Sequence, residues 1–544
     1  MSHRLLVVSV VGALLLWFAP LGSYHLFNPD EGRYAEIPRE MVASGDWVTP
    51  RLNDIKYFEK PPLHYWATAV AFSAFGEHEW TARLWVALSG FLGLLLTAWI
   101  GTRIYGAMVG AMAALVQGGA LLYLGLARLS TLDMGLSIAL ELALAGLLLL
   151  VATPAASTRL ERGGALLLAL GTVLAFLSKG LVGVLIPGAV AALYILLRRD
   201  WRLLLRARPW WTLIALLLIG APWVLLVAQR NPEFARFFFI HEHFERFLTR
   251  VHARYEPDWF FVPVLLLGFM PWTALLPATI ARSWRACRAG EGSTWMLVLW
   301  VLFSFLFFSV SQSKLIPYIL PIFPALALLA GRCLHELPAA RLRHALAVAA
   351  AFWLALGLLV LVLWHSPAWA TRLEINDSPA APLMAAGFLA AALLCALAAW
   401  LALRRGLLMG VTVAAFGTVV LLGVLSPAAD QLPRQRELTR LVAAVRPELH
   451  ASTAFYCVDA YEQSIPFYLQ RPCTLVGYRG ELDFGLQQEP GRWLADLGQF
   501  ADRWRLEGSA LAVVRSNSYT RLLQMGLPMR VIYTAPSLVA VVKP

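Results

Sequence analysis

Long apolar runs dominate this chain. They are separated by short polar stretches, and the longer runs reach the ~18 or more residues that mark membrane-crossing helices. The pattern predicts about thirteen transmembrane helices, at 5–23, 83–103, 106–124, 132–152, 164–179, 181–198, 210–228, 259–280, 294–311, 316–334, 343–364, 382–403 and 407–425. Only LSKG divides 164–179 from 181–198. The first run follows a short basic stretch, as a signal peptide does. Its small-residue cleavage pattern is poor and many spans follow, so it reads as an uncleaved first helix starting in the cytoplasm.

Three polar segments interrupt the pattern: 24–82, 229–258 and 427–544. In the first, GRYAEIPREMVASG and LHYWATAVAFSAFG read as short helices, the second started by Pro61-Pro62. In the second, Phe234, Phe237, Phe238, His241, Phe244 and Phe247 recur at spacings of three and four. That predicts an amphipathic helix over 234–248 lying in the membrane interface. In the third, RELTRLVAAVRPEL reads as helix, and STAFYCVDA, ALAVVRS, RVIYTA and LVAVVKP read as strands. Such alternation predicts a small α/β domain. The expected organisation is a transmembrane catalytic domain over 1–426, with outside loops 24–82 and 229–258, and a periplasmic α/β domain over 427–544.

Composition agrees with a polytopic membrane protein. Of 544 residues 59% are hydrophobic and 14% charged, against roughly 25% charged in soluble domains. Mean hydropathy is +0.66. The net charge of +12 would suggest nucleic acid in a soluble protein. Here the arginines crowd into alternate short loops, such as Arg198, Arg199, Arg202, Arg206 and Arg208, which are poor in acids. The positive-inside rule reads those loops as cytoplasmic, leaves no nucleic-acid partner, and puts the three large segments outside. The five cysteines show no CxxC or Cys/His metal spacing. Cys457 and Cys473 can pair if their segment is periplasmic, although a sequence supplies no distance between them.

Candidate chemistry collects in the outside loops and at span ends: Asp30, Glu31, Arg33, Tyr34, Arg39, Tyr57, Glu59, Lys60, His241, Glu242, His243 and Arg246, with Asp133, Lys179, Lys314 and Tyr318. Ionisable residues at membrane depth are costly and so are functional candidates. Cations beside tyrosines suit a phosphate. A carboxylate pair suits proton handling, a metal or a cationic substrate group. No Walker-type glycine-rich loop occurs, which argues against a nucleotide donor. Together these features describe a site for a lipid-linked phosphate. The bland alternative is solvated loop charges and local ion pairs, as for Glu242 and Arg246 four apart on a helix.

An acidic pair in the first outside loop resembles the GT-C glycosyltransferases that use polyprenyl-phosphate sugars, protein O-mannosyltransferases among them. The fuller run NPDEGRYAEIPREMVASGDWVTPRLNDIKYFEKPPLHYW is similar to the lipid A aminoarabinose transferase branch. The resemblance covers essentially the whole chain. It implies a GT-C type α-helical polytopic protein of the bacterial inner membrane, a monomer among membrane lipids, with its active site and C-terminal domain facing the periplasm. It implies an undecaprenyl-phosphate-linked aminosugar as donor and a lipid A phosphate as acceptor. It makes Asp30 the main catalytic candidate, with Glu31 and Asp133 beside it. Arg33, Tyr57, Lys60, Arg246 and Tyr318 are the candidates for the donor phosphate, and Glu59 and His241 for one divalent metal. A related transferase acting on protein or another glycan is the nearest rival. A lipid or sugar transporter would place charges mid-span and show inverted halves, and neither pattern is visible.

A phosphate acceptor, with its second pKa near 6, is already ionised at neutral pH. It scarcely needs a general base. Asp30 is therefore expected to orient the reactants or to pair with the sugar's 4-ammonium.

Overall fold

A computed structural model describes residues 12, 14–153, 157–245, 256–372 and 379–544. The chain divides into two compact units. The first holds residues 1–23, 59–64 and 83–428, and the second holds 24–58, 65–82 and 429–544.

The first unit is helical. Among the described residues nine helices are long and apolar enough to cross a membrane: Glu79–Tyr105, Leu132–Ala152, Thr158–Lys179, Arg202–Arg230, Gly292–Val310, Ile316–Glu336, Ala339–His365, Ala380–Arg404 and Leu407–Ala429. Leu132–Ala152, with 21 residues, rises about 31 Å, which matches a hydrocarbon core of ~30 Å. Ala107–Gly119 and Val182–Arg198 are shorter apolar helices. Gly180, at φ 74°, caps Thr158–Lys179, so LSKG does divide two helices. Of the expected first span, residues 5–11 and 13 lie outside the described residues.

Two expected spans are broken. The run 259–280 is not one helix: Phe261–Gly268 and Thr273–Arg288 meet at 107°. Pro271 lies at that break, where a ring without an N–H cannot continue a helix. The run 106–124 leaves helical geometry at Ala120, whose ψ is 126°. Close helix crossings use small residues. A Cβ on Gly171 would lie 2.3 Å from the Ala143 nitrogen, and one on Gly146 would lie 2.5 Å from the Gly164 carbonyl. In a membrane, where apolar surface alone drives no association, such close packing holds helices together. Thr97 donates to the buried Glu141 carboxylate at 2.7 Å, and Thr418 to the Gly119 carbonyl at 2.8 Å. These satisfy polar groups that lipid cannot.

The predicted interfacial helix differs from expectation. Residues Arg236–Glu245 form a wide π-type helix, and 246–248 lie outside the described residues. Phe234 and Phe238 are buried, stack 5.2 Å apart and pack edge-on to Trp223. This part of the aromatic face is used inside the unit instead of covering lipid.

The second unit joins the first loop to the C-terminal segment. Of the loop 24–82, residues 24–58 and 65–82 group with the C-terminal segment, and 59–64 stay with the first unit. Helix α1, Asp30–Ser44, carries Asp30 and Glu31 in its first turn, where acids suit the positive end of the dipole. It ends on Gly45 at φ 72°, the left-handed cap glycine adopts without strain. Strands β1 (Arg51–Leu52) and β2 (Ile55–Lys56) form a hairpin whose two turn residues, Asn53 and Asp54, both have positive φ.

The C-terminal part is a six-stranded sheet of β3 (Ala454–Val458), β4 (Thr474–Val476), β5 (Trp493–Leu494), β6 (Ala510–Arg515), β7 (Arg530–Thr534) and β8 (Leu538–Val542). Their order is β5-β4-β3-β6-β8-β7, parallel from β5 to β6 and antiparallel beyond. A disulfide joins Cys457 to Cys473. The loop is tied to the C-terminal part by specific bonds. Asn53 donates to the Cys473 carbonyl at 2.7 Å and accepts from its N–H at 2.8 Å. Gln435 donates to the Leu26 carbonyl at 3.1 Å, and the Leu26 N–H donates to the Tyr468 hydroxyl at 2.7 Å.

Candidate active site

The motif NPDEGR occupies the start of α1 in the second unit, and each residue has a distinct task. Asn28 donates to Glu462 at 3.0 Å and accepts from the Ser464 N–H at 2.9 Å. Gly32 allows backbone contact with the same turn: a Cβ there would lie 2.4 Å from the Ser464 nitrogen. Glu31 is buried and accepts from the Phe27 N–H at 3.0 Å. That bond ties residue 27 to the first turn of α1. Asp30 is different, since its side chain is 51% exposed.

Arg33 links this motif to the C-terminal part of its unit. Its side chain is 5% exposed. One Nη donates to Asp30 at 2.7 Å and the other contacts Glu481. Burial alone would lower its pKa. Tyr57, Glu481, Tyr34 and Asp30 outweigh that and raise it well above the ordinary value, so the guanidinium is a permanent cation. Tyr57 is buried in the same unit. Glu481 in turn accepts from Gln463 at 2.8 Å.

Farther along α1, Glu36 and Arg39 form a second pair. Arg39 grips both Glu36 oxygens at 2.6 Å, and both residues are buried. Burial raises the Glu36 pKa, against Arg39's hydrogen bond, which lowers it. Glu40 accepts from the Asp54 N–H at 2.9 Å. Burial first, and then the Glu36 charge, push its carboxyl well above the usual range.

The first unit holds the remaining candidates. Lys60 donates to Glu242 and to the Glu59 carbonyl, both at 2.7 Å, and its Nζ stands 4.0 Å from the Glu59 carboxylate. Asp133 opens helix Leu132–Ala152 and pairs at 2.5 Å with Lys179, which closes helix Thr158–Lys179. Each charge therefore sits at the helix end that favours it. Lys179 also lies 4.2 Å from the centre of the Tyr318 ring, a cation–π contact. Lys314 donates to the Glu256 carbonyl at 2.8 Å and faces Asp258 at 3.5 Å. Arg246 lies outside the described residues.

The two residues expected to hold a metal meet other charged partners among the described residues. His241 pairs through Nδ1 with Glu245 at 2.7 Å, and Glu59 neighbours the Lys60 cation. Among the described residues no group of three or more His, Cys, Asp or Glu side chains comes together, and no step is derived through a metal. Residues not anticipated from sequence include Glu481 and Gln463, which meet the motif only through folding, and His64. Burial pushes the His64 imidazole down to about 3, so it is neutral, and its Nε2 stands 3.4 Å from Ser130.

Comparison with known proteins identifies the family. Residues 441–543 match the aminoarabinose transferase C-terminal domain, and residues 2–238 match the dolichyl-phosphate-mannose-protein mannosyltransferase family. The undecaprenyl phosphate-alpha-4-amino-4-deoxy-L-arabinose arabinosyl transferase of Edwardsiella ictaluri is 35% identical over 317 residues, a match spanning 58% of this chain and 57% of that protein. The protein of the same name from Pseudomonas aeruginosa is 32% identical over 522 residues, 94% of this chain and 93% of that one. The crystal structure of ArnT from Cupriavidus metallidurans bound to undecaprenyl phosphate is similar at a TM-score of 0.91 and 36% identity, covering 100% of this chain and 98% of that chain. On these matches the chain is a multi-pass inner-membrane, polyprenyl-phosphate-dependent glycosyltransferase, and it belongs to the undecaprenyl phosphate-aminoarabinose arabinosyl transferase family.

Proposed function

We propose that this chain transfers 4-amino-4-deoxy-L-arabinose from undecaprenyl phosphate to a phosphate group of lipid A, as a monomer, at the periplasmic face of the inner membrane. The reading rests on family membership. The observation in the chain that carries it is the half-exposed Asp30 carboxylate held three residues from a buried, permanently charged Arg33. The basic loops described above support the periplasmic placement.

An oxygen of the lipid A phosphate attacks the anomeric carbon and forms one C–O bond. The bond from that carbon to the carrier phosphate breaks, and its electron pair leaves with undecaprenyl phosphate. No proton need move, because the acceptor phosphate is ionised at neutral pH. Protein cations stabilise the charge that develops on the departing phosphate. In the second unit Arg33 is our assignment for that task, with the Tyr57 hydroxyl as a further donor; in the first unit the candidates are Lys60, the Tyr318 hydroxyl and the guanidinium of Arg246. Asp30, and Asp133 in its pair with Lys179, are the carboxylates assigned to the sugar. Asp30 suits the 4-ammonium, since a charge-assisted hydrogen bond is about twice as strong as a neutral one.

Mass spectrometry of lipid A from cells with and without the chain tests this reading. Lipid A should gain one aminopentose per modified phosphate only when the chain is present. Unchanged lipid A, with the sugar found on a protein or another glycan, would move the enzyme to a different acceptor.

A further inference from the structure

Arg33 is shared between two carboxylates. Asp30 takes one Nη at 2.7 Å, and Glu481 contacts the other. The trio holds one cation and two anions, so it is net negative. Glu481 is well placed for this contact. Gln463 donates to its Oε1 and leaves Oε2 facing the guanidinium. Gly32 lets α1 come against the backbone of residues 463–464, and Asn28 fixes the same turn through Ser464. Glu481 itself is 15% exposed. A phosphate ligand of Arg33 would therefore meet a guanidinium already engaged.

The two forms of the carrier differ in charge. The sugar-linked donor is a phosphodiester and carries one negative charge. The product is a phosphomonoester, close to two negative charges at neutral pH because its second pKa is near 6. A purely cationic site would hold the product more tightly than the substrate and slow turnover. We propose that Glu481 is a positioning residue that competes with the carrier phosphate for Arg33 and, by recapturing the guanidinium, promotes release of undecaprenyl phosphate. This rests on the assignment of Arg33 to the carrier phosphate made above.

The test is the dissociation constant of undecaprenyl phosphate for the full-length protein in detergent, alongside single- and multiple-turnover transfer. Glu481→Gln keeps the shape and the hydrogen bond to Gln463 while removing the competing charge. It should tighten binding by about tenfold, the scale of one charge-assisted hydrogen bond. Multiple-turnover transfer should slow, and single-turnover transfer should hold its rate. In an Arg33→Ala background Glu481→Gln should change nothing, because the competition has lost its object. Glu481→Asp, with a shorter reach, should tighten binding less. Weaker or unchanged binding in Glu481→Gln or Glu481→Asp would overturn the proposal, since a merely structural contact predicts that sign. If Arg33→Ala alone leaves binding unchanged, the assignment of Arg33 to the carrier phosphate fails, and this proposal with it.

Discussion

Helix α1 carries the same ion pair twice. Asp30 and Arg33 are three residues apart, and so are Glu36 and Arg39. The chemistry and spacing are alike, yet the fates differ. Asp30 is half exposed, and Arg33 divides its donors between two acids. Glu36 is 0% exposed, and Arg39 closes on both its oxygens. The closed pair has its charges consumed internally, so it holds the helix in place. The open pair keeps a half-exposed carboxylate and a buried cation divided between two acids. A motif rich in charge thus has one pair open to a ligand and one closed on itself.

The largest effect should follow from breaking the closed pair. Arg39→Ala leaves Glu36 buried without its counter-charge, which costs about 3–5 kcal/mol. The thermal midpoint of the purified protein should fall steeply, or the protein should fail to accumulate. A midpoint near normal would show that water reaches Glu36. Next comes the approach of α1 to its own unit. Gly32→Ala places a methyl group against the Ser464 backbone, and overpacking of this kind costs about 1–3 kcal/mol. Backbone atoms yield less than side chains, so the upper end is expected, read as a lower unfolding midpoint. An unchanged midpoint would mean that the 463–464 turn moves freely.

A smaller effect concerns pH. Burial holds Glu40 well above the ordinary carboxyl value of 4.5, with Glu36 adding to the shift and the Asp54 N–H and Arg39 opposing it. The folded state therefore prefers the proton. The stability this confers is whole below the unfolded pKa and is lost as pH rises through the raised folded value. Glu40→Gln keeps an acceptor for the Asp54 N–H and removes the ionisation. Its melting temperature should fall less than the normal protein's as pH rises above the ordinary carboxyl range. Parallel pH profiles for the two proteins would show that Glu40 binds its proton equally in the folded and unfolded states, and so that its pKa is not raised by folding.

The apolar runs made most membrane helices legible, because a run long enough to cross lipid has few other stable forms. The bend near Pro271 was less visible, since the run stays apolar through it and proline alone does not specify an angle. The strands of the C-terminal domain were readable where they reach five or six residues, as in β3 and β6. β4 and β5, with three and two residues, are too short to show a period. In the site, the position of Asp30 and Arg33 beside a span was a sequence signal. Whether a charged residue on α1 faces out or in was not, because Glu36 and Asp30 look alike until the fold buries one. Glu481 lay beyond reach for a related reason. It meets Arg33 only because the first loop and the C-terminal segment share one unit, and neither hydropathy nor local spacing records that union.

The most direct measurement is transfer by the purified chain in vesicles, supplied with undecaprenyl-phosphate-linked 4-amino-4-deoxy-L-arabinose and lipid A, with both products quantified. Modified lipid A and free undecaprenyl phosphate should appear in equal amounts, and Asp30→Asn should suppress both together. Release of undecaprenyl phosphate without sugar on lipid A, or full transfer by Asp30→Asn, would contradict the reading of this chain as a lipid A aminosugar transferase that works through the open end of α1.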